Sequence, residues 1–117
     1  MISPIQHAPK KDKLPFLTCN VAAFSHYKGE EIFDLLKIGK KIRLIREADN
    51  KYDHNAVMVF FGDTHIGYIP RQLNSALAKL LDMGYADCFE ARIKTVDPNA
   101  YPEQQIEIII YLKRKEI

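Results

Sequence analysis

Ile106, Ile108, Ile110 and Leu112 alternate with Glu107, Ile109 and Tyr111. Successive strand side chains point to opposite faces, so this period of two predicts a strand at the end of the chain. Phe89, Ala91, Ile93 and Thr95 alternate in the same way with Glu90, Arg92 and Lys94, and Ile42 and Leu44 flank Arg43 within a strand over residues 41–47. A first strand is predicted over residues 16–24. Residues 56–61 are almost wholly apolar and β-favouring, which predicts a central strand buried on both faces. Gly62 and Asp63 then reverse the chain into residues 65–69, forming a hairpin.

Helical spacing occurs in two places. Ile32, Phe33, Leu35 and Leu36 predict a short helix over residues 30–36, ended near Gly39. Leu73, Leu77, Leu80 and Leu81 form one apolar stripe, with Pro70 at the first turn and Gly84 closing the helix. Residues 97–103 read as a proline-containing loop. Six strands with one or two helices predict a mainly β (α+β) fold, either a small barrel or a strongly curled sheet, because closure removes exposed edges. No internal repeat is visible.

With 117 residues, of which 47% are hydrophobic and 27% charged, the chain has room for one packed core. Residues 1–15 offer little apolar surface and carry the run Lys10-Lys11-Asp12-Lys13, which predicts a flexible basic leader ahead of a single domain over residues 16–117. Lys and Arg number 17 against 15 Asp and Glu, a net charge of +2. So small an excess does not by itself argue for nucleic-acid binding, although it permits a local basic patch. Cys19 and Cys88 lack metal-ligand spacing, which excludes a zinc finger; a disulfide stays open, but two buried thiols are the expectation. No run of about 18 apolar residues and no apolar signal core is present, so a soluble, cytoplasmic protein is expected.

The chemistry-bearing residues concentrate between Ile45 and Arg71. Residues 48–55 are dense in turn-forming types, and the whole stretch holds Arg46-Glu47, Asn50, Tyr52-Asp53, Asn55-Ala56-Val57 and Gly67-Tyr68-Ile69-Pro70-Arg71. With Phe24, Tyr27 and Gly29 ahead of it, this pattern resembles the HIRAN domain family over about residues 16–112. The resemblance implies an OB-like six-stranded barrel that captures the 3′ end of single-stranded DNA. It also implies association with helicase or repair proteins, since larger eukaryotic relatives join the domain to a helicase-like ATPase with a RING finger, while small free-standing versions occur in bacteria. The chain has no GxxxxGK[ST] loop and no zinc motif, so the ATPase and ligase properties of those relatives do not carry over. No enzyme activity, cofactor or metal is expected.

Tyr27 and Tyr52 lie in polar segments, where their rings either stack on terminal bases or plug the barrel mouth. Asp53 either accepts a hydrogen bond from a terminal hydroxyl while repelling phosphate, or only shapes an Asx turn. Asn50 either donates to a base edge or sugar, or holds the turn. Asn55, beside the apolar strand, reads as structural, and Gly67 and Tyr68 as packing at the strand–helix corner. Arg71 is placed to point a guanidinium at phosphate from the start of the helix. Lys28 and Arg46 are further candidates for backbone contacts. Ser25 and His26 stand where the best-studied kind of relative has a basic residue and a second aromatic. Histidine can stack and donate there, with less area than tyrosine.

Two rival readings have sequence support. Asp49, Asp53, His54 and Asp63 would suit a metal-dependent hydrolase if they converged on one point. The isoleucine-rich last strand would suit a protein–protein interaction module if it formed an exposed sheet edge.

Overall fold

The computed structural model describes residues 12–114. Within them the chain runs through β1 (Lys13–Asn20), β2 (Lys41–Arg46), β3 (Val57–Phe61), β4 (Thr64–Tyr68), α1 (Ser75–Asp82), β5 (Phe89–Val96), α2 (Pro102–Gln105) and β6 (Ile106–Lys113). Among the described residues the six strands form one antiparallel sheet in the order β1-β6-β5-β2-β3-β4. The sheet is not closed strand to strand. Its two ends nevertheless meet, because Ala22, just past β1, exchanges backbone hydrogen bonds of 2.8 and 2.9 Å with Tyr68 of β4. Gly67 permits this closure: its φ is +152°, and a Cβ there would collide with the Ala22 carbonyl. The fold is mainly β and OB-like.

The inward residues follow the predicted alternation. Ile106, Ile108 and Ile110 are fully buried, as are Val57, Val59 and Ile66. On β3 only one face reaches the core, and Met58 and Phe60 are half-exposed, so the strand predicted to be buried on both faces is buried on one. A bulge between Ile93 and Thr95 breaks the alternation of β5, leaving Thr95 exposed and turning Val96 towards the core. β6 lies between β1 and β5 and is not a sheet edge, which removes the basis for an interaction module built on that strand.

Several boundaries differ from expectation. β1 starts at Lys13, inside the stretch assigned to the leader, where Lys13 Nζ meets Glu90 at 2.8 Å. The rest of that leader, residues 1–11, lies outside the described residues. β1 ends at Asn20, and the buried Phe24 opens a short 3₁₀ turn (Phe24–His26) instead of closing the strand. The helix expected over residues 30–36 is 3₁₀ over Lys28–Leu35. Pro70 has ψ +136°, too extended for a first helical turn; a 3₁₀ turn (Arg71–Leu73) follows, and α1 starts only after Asn74. Leu73 is therefore exposed, while Leu77 and Ala78 are the fully buried face of α1. The predicted loop at residues 97–103 runs into α2, with Pro102 in its first turn.

Both cysteines are free; Cys19 is buried, but Cys88 is only half-buried, in a 3₁₀ turn (Ala86–Cys88). Burial, reinforced by Glu107, pushes the Cys19 thiol up to about 11. Among the described residues no helix is long and apolar enough to cross a membrane.

Candidate nucleic-acid interface

The loop between β2 and β3 is shaped by its own side chains. Asn50 Oδ1 accepts the backbone N–H groups of Tyr52 (2.8 Å) and Asp53 (2.9 Å), and Asp53 Oδ1 accepts that of Asn55 (3.0 Å). Asp53 Oδ2 accepts a 2.8 Å hydrogen bond from Asn74 Nδ2, which satisfies an asparagine only 1% exposed ahead of α1. These nested turns hold Tyr52 out in solvent, 85% exposed. The Asx turn foreseen for Asp53 thus forms. It leaves capacity on the carboxylate, since each oxygen accepts one bond and two oxygens offer about four acceptor positions.

Opposite the loop stands an aromatic wall. The Tyr27 ring is 4.1 Å from the His65 ring and 5.5 Å from the Tyr68 ring, centroid to centroid. His65 stacks on Phe60 at 5.0 Å and donates through Nε2 to the Gly67 carbonyl at 2.8 Å. Tyr68 donates its hydroxyl to Glu47 Oε1 at 2.6 Å, and Asn50 Nδ2 donates to the same oxygen at 2.6 Å. The Tyr68 hydroxyl holds the Glu47 carboxyl below the usual range against the opposing cost of burial, with Asn50 adding a smaller effect in the same direction. Burial, then the Glu47 hydrogen bond, pushes the Tyr68 phenol up.

Between wall and loop opens a cleft of about 310 Å³, lined by Tyr27, Asn50, Tyr52, Asp53, Tyr68 and Arg71 together with Ala22, Ala56 and Ile69. Five of the eight residues singled out from the sequence therefore share one cavity. The Arg71 side chain is exposed and makes no hydrogen bond or ion pair among the described residues. Arg71 opens a three-residue turn rather than α1, so it does not stand at the start of the helix as expected.

The other three lie elsewhere. His26 is exposed at the end of its turn and does not line the cleft. Lys28, also exposed, pairs with Glu31 at 3.4 Å. Arg46, expected to contact a phosphate backbone, instead clamps the loop from behind. Its Nε and Nη2 bind Asp82 at 2.8 and 3.1 Å, while Nη1 and Nη2 donate to the Ala56 and His54 carbonyls at 2.8 and 3.0 Å. The Asp82 hydrogen bond raises the Arg46 pKa further, and Arg46 in turn holds the Asp82 carboxyl down.

Sequence reasoning missed Glu47, His65, Phe60 and Asn74 as parts of the site, and gave Tyr68 only a packing role. Glu47 and Tyr68 do lie in the matched motifs, but their contact spans 21 residues and exists only once β2, β3 and β4 are in register. Among the described residues no three His, Cys, Asp or Glu side chains converge as metal ligands would. Asp49, Asp53, His54 and Asp63 therefore do not form the donor set a metal-dependent hydrolase needs. Larger depressions of about 600 and 610 Å³, near Tyr85 and Arg114 and near Phe33 and Ile38, gather none of the motif residues.

A family model described as the HIRAN domain matches residues 16–114. Two curated relatives, both Fanconi-associated nuclease 1 homologs, are 32% identical over 82 residues (Arabidopsis thaliana) and 36% identical over 76 residues (Oryza sativa subsp. japonica). These alignments cover 69% and 62% of this chain but only 9% and 7% of the relatives. A crystal structure of a protein from Lactobacillus plantarum superposes with a TM-score of 0.72 at 24% identity, covering 86% of this chain and 94% of that one. The HIRAN domain of human HLTF superposes with a TM-score of 0.63 at 21% identity, covering 87% and 81%. With the family model matched over nearly the full described length, this chain belongs to the HIRAN domain family.

Proposed function

We propose that the chain is a binding module for single-stranded DNA that captures a strand at its free 3′-hydroxyl end. The observation that carries this reading is the meeting of Tyr27, Tyr52, Asp53 and Arg71, from three separate segments, around one open cleft. An exposed tyrosine ring offers a flat face to an unpaired base, worth about 1–3 kcal/mol per stacked base. The Asp53 carboxylate welcomes a hydroxyl donor and repels a phosphate in the same place. Arg71, unpaired among the described residues, supplies a planar donor fork for the phosphate preceding the terminal sugar. The nuclease in the relatives' names fits a DNA ligand, but it describes proteins of which this chain spans under a tenth, so we assign the chain binding and no catalytic step.

Fluorescence anisotropy with three single-stranded oligonucleotides of one sequence tests the reading: a 3′-hydroxyl end, a 3′-phosphate end and a closed circle. The hydroxyl end should bind tightest. Equal affinity for all three would leave a generic strand-binding groove and remove the role given to Asp53.

A further inference from the structure

The two walls of the cleft are joined through one carboxylate that does not line it. Glu47 follows β2, and its Oε1 receives both the Tyr68 hydroxyl and Asn50 Nδ2, each at 2.6 Å. On one side, Tyr68 stands edge-on to Tyr27 at 5.5 Å. On the other, Asn50 holds the backbone of Tyr52 and Asp53 through Oδ1. A continuous path of contacts thus runs from Tyr27 through Tyr68, Glu47 and Asn50 to Tyr52 and Asp53, with a single oxygen atom as its joint.

We infer that Glu47 is a positioning residue that sets the separation between the Tyr27 wall and the Tyr52–Asp53 loop, and thereby the preference for a hydroxyl end over a phosphate end. The inference rests on the end-capture reading. Hydrogen bonds to an ionised acceptor are short and about twice as strong as neutral ones, and both donors lose their partner together if the acceptor is removed. The loop has other anchors that survive such a change. Glu47 N donates to the Ala56 carbonyl at 3.0 Å, and Asn50 N to the Glu47 carbonyl at 3.1 Å, both through the backbone. Removing the carboxylate therefore frees the loop from β4 without unravelling it. Glutamine keeps a carbonyl oxygen in the same place and can accept from both donors.

The test compares wild type, Glu47→Ala, Glu47→Gln, Tyr68→Phe and the Glu47→Ala/Tyr68→Phe double variant, each well below its melting temperature. Two quantities are read: the ratio of Kd for 3′-phosphate and 3′-hydroxyl oligonucleotides, and amide hydrogen exchange at Tyr52 and Asp53. In Glu47→Ala the ratio should fall about tenfold, the size expected for losing a charge-assisted hydrogen bond. Tyr68→Phe should lower it too, the double variant should lose less than the sum of the two singles, and Glu47→Gln should restore most of it. Exchange at Tyr52 and Asp53 should quicken in Tyr68→Phe, although the Tyr68 hydroxyl bonds to Glu47 and to neither of them. A Glu47→Ala protein that melts earlier but keeps the wild-type ratio and exchange would reduce Glu47 to a structural residue and overturn the inference. A wild-type chain indifferent to its end would instead sink the end-capture reading; unchanged exchange in Tyr68→Phe would then sink the coupling as well, and quickened exchange would sustain it.

Discussion

Tyr52→Ala removes a ring that is 85% exposed and stands on a loop shaped by Asn50 and the backbone rather than by the ring itself. Tyr52 takes no part in the aromatic pairs joining Tyr27, His65, Phe60 and Tyr68. Substitutions at such positions usually change folding stability by less than about 0.5 kcal/mol, so the melting temperature should hardly move. On the proposed reading the same ring covers a base, and its loss should then cost about 1–3 kcal/mol. That range corresponds to a rise in Kd of about 5- to 160-fold. Tyr52→Phe keeps the stacking face and should bind within about twofold of wild type, as expected for a ring that acts through its face. The assay is anisotropy of a labelled oligonucleotide with a free 3′-hydroxyl, run beside a thermal melt of each variant. Tyr52→Ala binding within twofold of wild type at unchanged melting temperature would refute stacking at this position. A matching drop in melting temperature would show that the ring supports the fold. Tyr27 is a poorer probe, because its half-buried ring packs on His65 and Tyr68, and its removal would mix folding with binding.

Arg46→Ala takes away the hydrogen bonds to Asp82 and to the Ala56 and His54 carbonyls; urea denaturation should show about 2 kcal/mol of lost stability, and a loss under about 0.5 kcal/mol would mean that the clamp is dispensable. Arg71→Ala should make the logarithmic salt dependence of binding shallower by about 0.7, the value for one phosphate on a single strand; an unchanged slope would place Arg71 off the backbone. The Lys13 ammonium, and after it Arg92, hold the Glu90 carboxyl down from 4.5 to about 2. A carboxyl whose pKa is lower in the folded chain stabilises it fully above the unfolded value and loses that contribution as pH falls through the folded one. The melting temperature should therefore drop between about pH 4.5 and 2, and Glu90→Gln should flatten that slope, modestly because Lys13 is 42% exposed and screened by water. An identical slope in the variant would assign the acid sensitivity to other groups.

Much of the architecture could be read locally. The isoleucines of β6, the alternation in β2 and that of β5 as far as Ile93 depend only on the two-residue period of a strand, and the structure keeps them. Tyr27, Tyr52 and Asp53 were legible as candidates because polar, turn-rich sequence offers no obvious core for a large ring, whereas the packing of Tyr27 on His65 and Tyr68 was not. Local reasoning failed where a distant partner decided the outcome. Thr95 points outward because β5 carries a bulge against β6. Leu73 is exposed because Pro70 keeps an extended ψ and Leu73 falls in the short turn that follows, ahead of α1.

Arginine at 46 is equally suited by chemistry to a phosphate or a carboxylate. Only the placement of α1 beside β2 brings Asp82 within its reach and makes it a clamp. In the same way, composition and spacing determined a β-rich domain with an aromatic, acidic loop. The tertiary structure decided which of those side chains share a cleft and which hold it in shape. The Glu47–Tyr68 and Asp53–Asn74 hydrogen bonds each cross 21 residues of chain, and such contacts follow from strand register and helix placement, which are properties of the whole packed core.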